Sequence, residues 1–207
     1  MADCMRVGIF GGTFDPPHYG HISVAVNLKE ARGLDRVLFI PANSNPQKTV
    51  MPIASGDDRL RMLKLTISGI PGFAMTNMEV RREGPSYMID TIHELKLTGR
   101  YRGAEFFLLM GEDLVGDLLH WKQAYELIQE APPLIARRLG HDSLAQIQDA
   151  AFSTEFAGVI ARGVTETPLL DISSTDIRRR VQAGLFCGHL VDRRVLRYIE
   201  KHNLYYC

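Results

Sequence analysis

Gly11-Gly12-Thr13-Phe14-Asp15-Pro16-Pro17-His18-Tyr19-Gly20-His21 sets a glycine pair, a proline pair and two histidines between an apolar run and an amphipathic one. Upstream, Met5-Arg6-Val7-Gly8-Ile9-Phe10 is short, mostly apolar and closed by the glycine pair, which predicts a buried strand. Downstream, residues 21–32 carry apolar side chains at roughly helical spacing and stop at Gly33, the residue type expected just past a helix end. The stretch therefore reads as a strand-to-helix turn. A helix N-terminus offers unpaired N–H groups and a positive dipole end to phosphate, and glycines let backbone approach a ligand closely. His18 and His21, three residues apart, fall on one helical face, with Gly20 leaving an open surface for a flat ring. A phosphate and a base can bind together there. Two alternatives stay open: a glycine-rich turn with two partly exposed histidines, and, more weakly, a two-histidine corner of a metal site without a third ligand at characteristic spacing.

Outward from this turn, strands and helices alternate. Arg36-Val37-Leu38-Phe39-Ile40 is a second strand, which with the first makes a right-handed parallel unit. It runs into a polar loop ending at Lys48, a solvated lysine on the ordinary reading and a phosphate contact on the functional one. Residues 57–67 read as a helix, 73–80 as a weak strand and 87–97 as a helix on which His93 has no catalytic role. Glu105-Phe106-Phe107-Leu108-Leu109-Met110 is the clearest strand, of the kind found mid-sheet, and leads through Gly111-Glu112-Asp113 to Trp121, either a core residue or a stacking platform. A helix to Glu130 follows, then strands at 133–137 and 156–161 separated by a polar helix at about 143–151. The alternation predicts a doubly wound parallel α/β sheet covered on both faces.

Ile172-Ser173-Ser174-Thr175-Asp176-Ile177-Arg178 places three hydroxyls before a further helix, with Asp176 three after Ser173, close to a capping box. Capping needs only one hydroxyl. The same helix start can hold a second phosphate, with Arg178 reaching it, while Arg179 and Arg180 form a solvated face. An amphipathic helix over 191–206 is expected to cover the sheet edge.

With 207 residues, 45% of them hydrophobic, the chain suits one well-cored domain with a helical part at about 172–207. Lys and Arg number 24, as do Asp and Glu, so the surplus of positive charge that nucleic acid or anionic membranes require is missing and a small ligand is expected. Three dispersed cysteines indicate neither a disulfide framework nor a zinc cluster and suit a reducing cytoplasm. The first residues lack a secretory signal pattern, and no apolar run approaches the roughly 18 residues of a membrane span. Oligomeric state is left open.

Together these motifs resemble the bacterial nicotinate-nucleotide adenylyltransferases, members of the nucleotidyltransferase superfamily with the (H/T)-x-G-H signature, over nearly the full length. Residues 11–21 are similar to the family's ATP turn and 172–178 to its second ATP motif. Glu79, Arg82, Gly84-Pro85-Ser86-Tyr87 and Asp90-Thr91 resemble its middle motif. The likeness implies a single Rossmann-like domain over 1–207 that joins ATP to nicotinate mononucleotide, with Mg²⁺ carried largely by the phosphates and no protein metal ligand. It implies catalytic roles for His18, His21, Lys48 and Arg178. ATP contacts would come from Gly11, Gly12, Thr13, Phe14, Gly20, Gly111, Asp113, Ile172, Ser173, Ser174 and Thr175, and mononucleotide contacts from Ser86, Tyr87, Met88, Ile89, Trp121, Lys122 and Arg138. Two departures stand out: Asn45-Pro46-Gln47-Lys48 keeps one proline and no histidine, and Met88 replaces a frequent threonine, leaving backbone contacts to serve. Rival readings are a phosphopantetheine or nicotinamide mononucleotide adenylyltransferase and a non-catalytic nucleotide sensor.

Overall fold

A computed structural model describes residues 4–44, 46, 51–138, 153–168 and 170–206, without the side chain of Arg138. Six strands, β1 (Arg6–Gly12), β2 (Arg36–Pro41), β3 (Phe73–Met75), β4 (Glu105–Gly111), β5 (Pro133–Arg138) and β6 (Val164–Thr167), form one sheet in the order β3-β2-β1-β4-β5-β6. β1 runs parallel to β4, with Val7 opposite Phe106 and Ile9 opposite Leu108, and β4–β5 and β5–β6 are parallel as well. Strands so apolar that Val7, Ile9, Val37, Phe39 and Ile40 are wholly buried belong inside a sheet covered on both faces. The order reverses between β1 and β4, and open α/β sheets bind ligands outside the carboxyl ends of such strands, here at Gly11 and Gly111.

Among the described residues the α-helices are α1 (Tyr19–Ala31), α2 (Gly56–Ile67), α3 (Met78–Arg81), α4 (Met88–Leu97), α5 (Ala124–Glu130), α6 (Thr154–Gly163), α7 (Ser174–Gln182) and α8 (Arg193–Lys201). The expected doubly wound α/β class holds, with local corrections. Residues 156–161 are helical, not a strand. Phe156, Ile160 and Gly163 share one buried face at helical spacing, and β6 follows as the next segment. A Cβ at Gly163 would lie 1.9 Å from the Pro133 carbonyl oxygen, so only glycine lets α6 close onto β5. The strand expected at 73–80 ends at Met75, and α3 occupies its second half. The helix expected at 143–151 lies outside the described residues.

By internal contacts the chain divides into two compact units. The first comprises Met1–Gly11, Val24–Leu38 and Tyr87–Leu169. Its core is built on Phe106, Leu108 and Met110 of β4 with Ile92 of α4 and Leu127 of α5. Lys96 and His93 of α4 pair with Glu130 of α5 at 3.0 and 3.2 Å. The second comprises Gly12–Ser23, Phe39–Ser86 and Leu170–Cys207. There α8 packs on α2 and not along a sheet edge, because Val195 and Ile199 find Met62, Ile177, Val181 and Val191 in one buried cluster.

Candidate active site

The turn after β1 is organised from beneath. Phe14 holds a left-handed backbone (φ 50°) and buries its ring, which meets His21 edge-on at 4.9 Å and Phe39 at 5.8 Å. A Cβ at Gly12 would lie 3.0 Å from that ring, so the glycine makes room for Phe14. Phe14 thus acts as the floor of the turn. His18 precedes α1, its carbonyl accepting from His21 N–H at 3.0 Å, and its own N–H donates to His21 Nδ1 at 3.2 Å. With Nδ1 accepting, neutral His21 carries its proton on Nε2 as a donor. The two imidazoles stack, centroids 3.7 Å apart and planes 26° apart. Gly20 permits this packing, since a Cβ there would lie 2.9 Å from His18 Nδ1 and 3.3 Å from the Ile172 carbonyl. Burial lowers the His18 pKa to about 4, so it is neutral at pH 7, and its Nδ1 has no partner among the described residues.

α7 is fastened to the same turn. Ser173 caps it by accepting from Asp176 N–H at 3.0 Å, while Ser174 Oγ donates to the Pro16 carbonyl at 2.8 Å. Arg178 donates to the Asp15 carbonyl at 2.7 Å and to Thr175 Oγ1 at 3.2 Å. The opening N–H groups of α7, from Ser174 and Thr175, have no intrahelical acceptor, which is the local condition an anion site requires. Thr13 Oγ1 is buried and unpartnered among the described residues. Of the sequence-predicted ATP residues, Gly12, Thr13, Phe14, Gly20, Ile172, Ser173, Ser174 and Thr175 belong to this second unit, as do the catalytic candidates His18, His21 and Arg178, whereas Gly11, Gly111 and Asp113 belong to the first. Ser86 is there too, but its hydroxyl accepts from Asn43 N–H at 2.9 Å and fixes the loop after β2.

The first unit gathers the remaining group. Tyr87 precedes α4 without capping it by a side chain, so the N–H groups of Met88 and Ile89 open the helix. A Cβ at Gly11 would lie 2.5 Å from Met88 Cε, so that side chain lies over the end of β1. Lys122 is bound to Asp90 at 2.8 Å and sits 4.8 Å from the Tyr87 ring centroid. Asp113 folds back over Gly111, where an added Cβ would meet its Oδ1 at 2.5 Å. Trp121 is half-buried, and its indole N–H is buried and unpartnered among the described residues. Lys48 and the Arg138 side chain lie outside the described residues.

Residues 9–180 match the family model for cytidylyltransferase-like proteins. Over 200 residues the chain is 41% identical to the "Probable nicotinate-nucleotide adenylyltransferase" of Thermomicrobium roseum, covering 97% of this chain and 91% of that one. The chain belongs to this family. A further member, the "Probable nicotinate-nucleotide adenylyltransferase" of Geobacillus thermodenitrificans, is 38% identical over 97% of this chain and 86% of its own. Among solved structures, the nicotinic acid mononucleotide adenylyltransferase of Plasmodium falciparum complexed with NaAD superposes with a TM-score of 0.72 at 19% identity over 97% of both chains, which establishes the shared fold.

Three residues that support the family's turn went unassigned in the sequence reading. Asp15, Arg59 and Tyr205 are 4%, 1% and 3% exposed. Arg59 donates to the Thr13 and Ala42 carbonyls at 2.9 and 2.6 Å. One signal was available: Arg59 stands on the apolar stripe of α2 with Met62, Leu63 and Thr66, where a solvated cation does not belong. No sequence signal links Tyr205 to a turn 190 positions away.

Proposed function

We propose that the chain transfers the adenylyl group of ATP to the 5′-phosphate of nicotinate mononucleotide, forming deamido-NAD and releasing pyrophosphate. The observation that carries this reading is the stacked His18–His21 pair at the start of α1, fastened to the phosphate-accepting start of α7, in a chain so like named nicotinate-nucleotide adenylyltransferases.

A mononucleotide phosphate is already anionic at neutral pH and needs no general base. One of its oxygens bonds to the α-phosphorus as the bond from that phosphorus to the bridging oxygen breaks, and pyrophosphate leaves with the bonding pair. The protein's work is alignment and stabilisation of the charge that develops. His21 Nε2–H and neutral His18 donate to α-phosphate and bridging oxygens. Arg178, Lys48 and the N–H groups of Ser174 and Thr175 receive the pyrophosphate. Thr13, Gly11, Gly12, Gly20, Gly111 and Asp113 border the nucleotide. Trp121 stacks on the nicotinate ring, whose carboxylate takes the N–H groups of Met88 and Ile89, with Lys122 and Arg138 adding positive charge.

Asp15 is filled by three protein donors, and Asp176 accepts from Ser173 and pairs with Arg179. Neither offers itself to Mg²⁺. Mg²⁺ would be carried largely by the phosphates, where it would supply charge neutralisation. Residues 1–207 act as one catalytic chain, and the dispersed thiols Cys4 and Cys187, both free, suit the cytoplasm. No helix among the described residues is long and apolar enough to cross a membrane.

The test is pyrophosphate release from ATP and Mg²⁺ with nicotinate mononucleotide, nicotinamide mononucleotide and phosphopantetheine in parallel. Release with the acid alone is expected. Equal release with the amide would move the assignment to dual specificity, and release with none from folded, ATP-binding protein would make the chain a sensor.

A further inference from the structure

We infer that Tyr205 is a positioning residue for adenylyl transfer, holding the Asp15 carboxylate so that the turn carrying His18 and His21 keeps its reactive geometry. The inference rests on the reading of that turn as the ATP site. Asp15 lies three residues before His18 and is almost completely buried. Its Oδ2 accepts from Ile53 N–H at 2.8 Å, and its Oδ1 from Ala54 N–H at 3.1 Å and from the Tyr205 hydroxyl at 2.7 Å. The carboxylate therefore ties the turn both to the segment leading into α2 and to the residues after α8.

Tyr205 reaches Asp15 through an unusual backbone. Asn203 and Tyr205 both adopt positive φ, 49° and 69°, in the left-handed region that a bulky side chain occupies at a cost. This fold-back delivers the hydroxyl to a carboxylate 190 positions earlier. Burial and the neighbouring carboxylate push the phenol well above its ordinary pKa, so it remains a donor at every working pH. The buried Arg59 guanidinium supplies the compensating charge while holding the Thr13 carbonyl, and Arg178 and Ser174 hold those of Asp15 and Pro16. Residues 13–16 are thus pinned from several sides, and Tyr205 is the support that reaches the carboxylate from the far end of the chain. Where catalysis is alignment, displacement of the turn by a fraction of an ångström lowers rate before it lowers affinity.

The experiment compares full-length wild type with Tyr205→Phe, Asp15→Asn, the double variant, Ile199→Val and His21→Ala. It reads kcat, the ATP dissociation constant by calorimetry, and Tm. Tyr205→Phe is expected to lower kcat by about tenfold with ATP affinity within about twofold of wild type. Asp15→Asn should behave alike, and the double variant should lose little beyond the worse single variant, as two members of one hydrogen-bonded unit do. Ile199→Val loosens the same buried cluster without touching the turn, and should lower Tm while keeping kcat. Wild-type kcat in Tyr205→Phe, with His21→Ala inactive, would overturn the tyrosine's role alone. An equal fall in kcat for Ile199→Val at matched loss of Tm would also overturn it, by making the effect one of general loosening. Full turnover in His21→Ala would overturn the reading of the turn itself.

Discussion

His21 and His18 divide the chemistry of the turn by their surroundings. His21, with Nδ1 satisfied by the His18 N–H, has a defined donor on Nε2. If that donor acts on charge present only in the transition state, His21→Ala lowers kcat by the equivalent of about 2 to 4 kcal/mol while the ATP dissociation constant hardly moves. Steady-state kinetics beside calorimetry checks both quantities. His18 makes a separate, thermodynamic prediction. Its pKa is lowered from 6.5 to about 4 in the folded chain, so between those values the unfolded chain binds more protons and stability rises with pH. The contribution is fully present above the unfolded value and is lost as pH falls towards the folded one. Urea unfolding at about pH 7.5 and about pH 4.5 should differ by up to about 3 kcal/mol from this group, and His18→Gln should remove that share of the slope.

At the scale of the element, two neighbouring serines at the start of α7 have different duties. Ser173 caps the helix through Asp176 N–H, whereas Ser174 holds the Pro16 carbonyl of the turn. Ser173→Ala should cost about 1 kcal/mol of stability, lowering Tm by about 2 to 4 °C. Ser174→Ala should lower kcat more than it lowers Tm, read by kinetics and calorimetric melting on the same preparations. Within α6 two glycines make a similar contrast. Gly163→Ala drives a methyl against the Pro133 carbonyl and should destabilise by about 2 to 3 kcal/mol or more, because backbone, unlike a side chain, cannot step aside. At Gly158 an added Cβ meets only the mobile end of Arg162 at 3.4 Å, so Gly158→Ala should stabilise by about 0.5 to 1 kcal/mol through helix propensity. Denaturant titration of the pair tests both signs.

For the whole molecule, equal numbers of acidic and basic residues imply that affinity for polyanions does not extend beyond the nucleotide site. The protein should pass unretained through immobilised heparin at about 150 mM salt, whereas ATP should raise its Tm by mass action on the folded state. The alternation of apolar runs with amphipathic segments was enough to predict a parallel sheet, because burial on both faces demands continuous apolar strands such as Phe106 to Met110. The turn from Gly11 to His21 and the hydroxyl run from Ser173 to Thr175 were equally legible, since helix starts and close backbone approaches restrict residue type locally. Residues 156–161 misled because a short apolar run suits strand or helix alike, and the helical spacing of the buried face shows only when the run is extended to Gly163, which lies against the Pro133 carbonyl. Sequence by itself thus determined the fold class and marked out the turn and the helix start that we propose for the phosphates. Only the tertiary structure decided what holds those residues in place: that Phe14 lies under His21, that Arg59 is buried, and that Tyr205 reaches Asp15. The physical reason is range. Capping, helical spacing and glycine conformation act within a few residues, whereas the partners of a buried charge are matched across the folded chain: the apolar stripe of α2 marks Arg59 as out of place, but nothing local names what it meets.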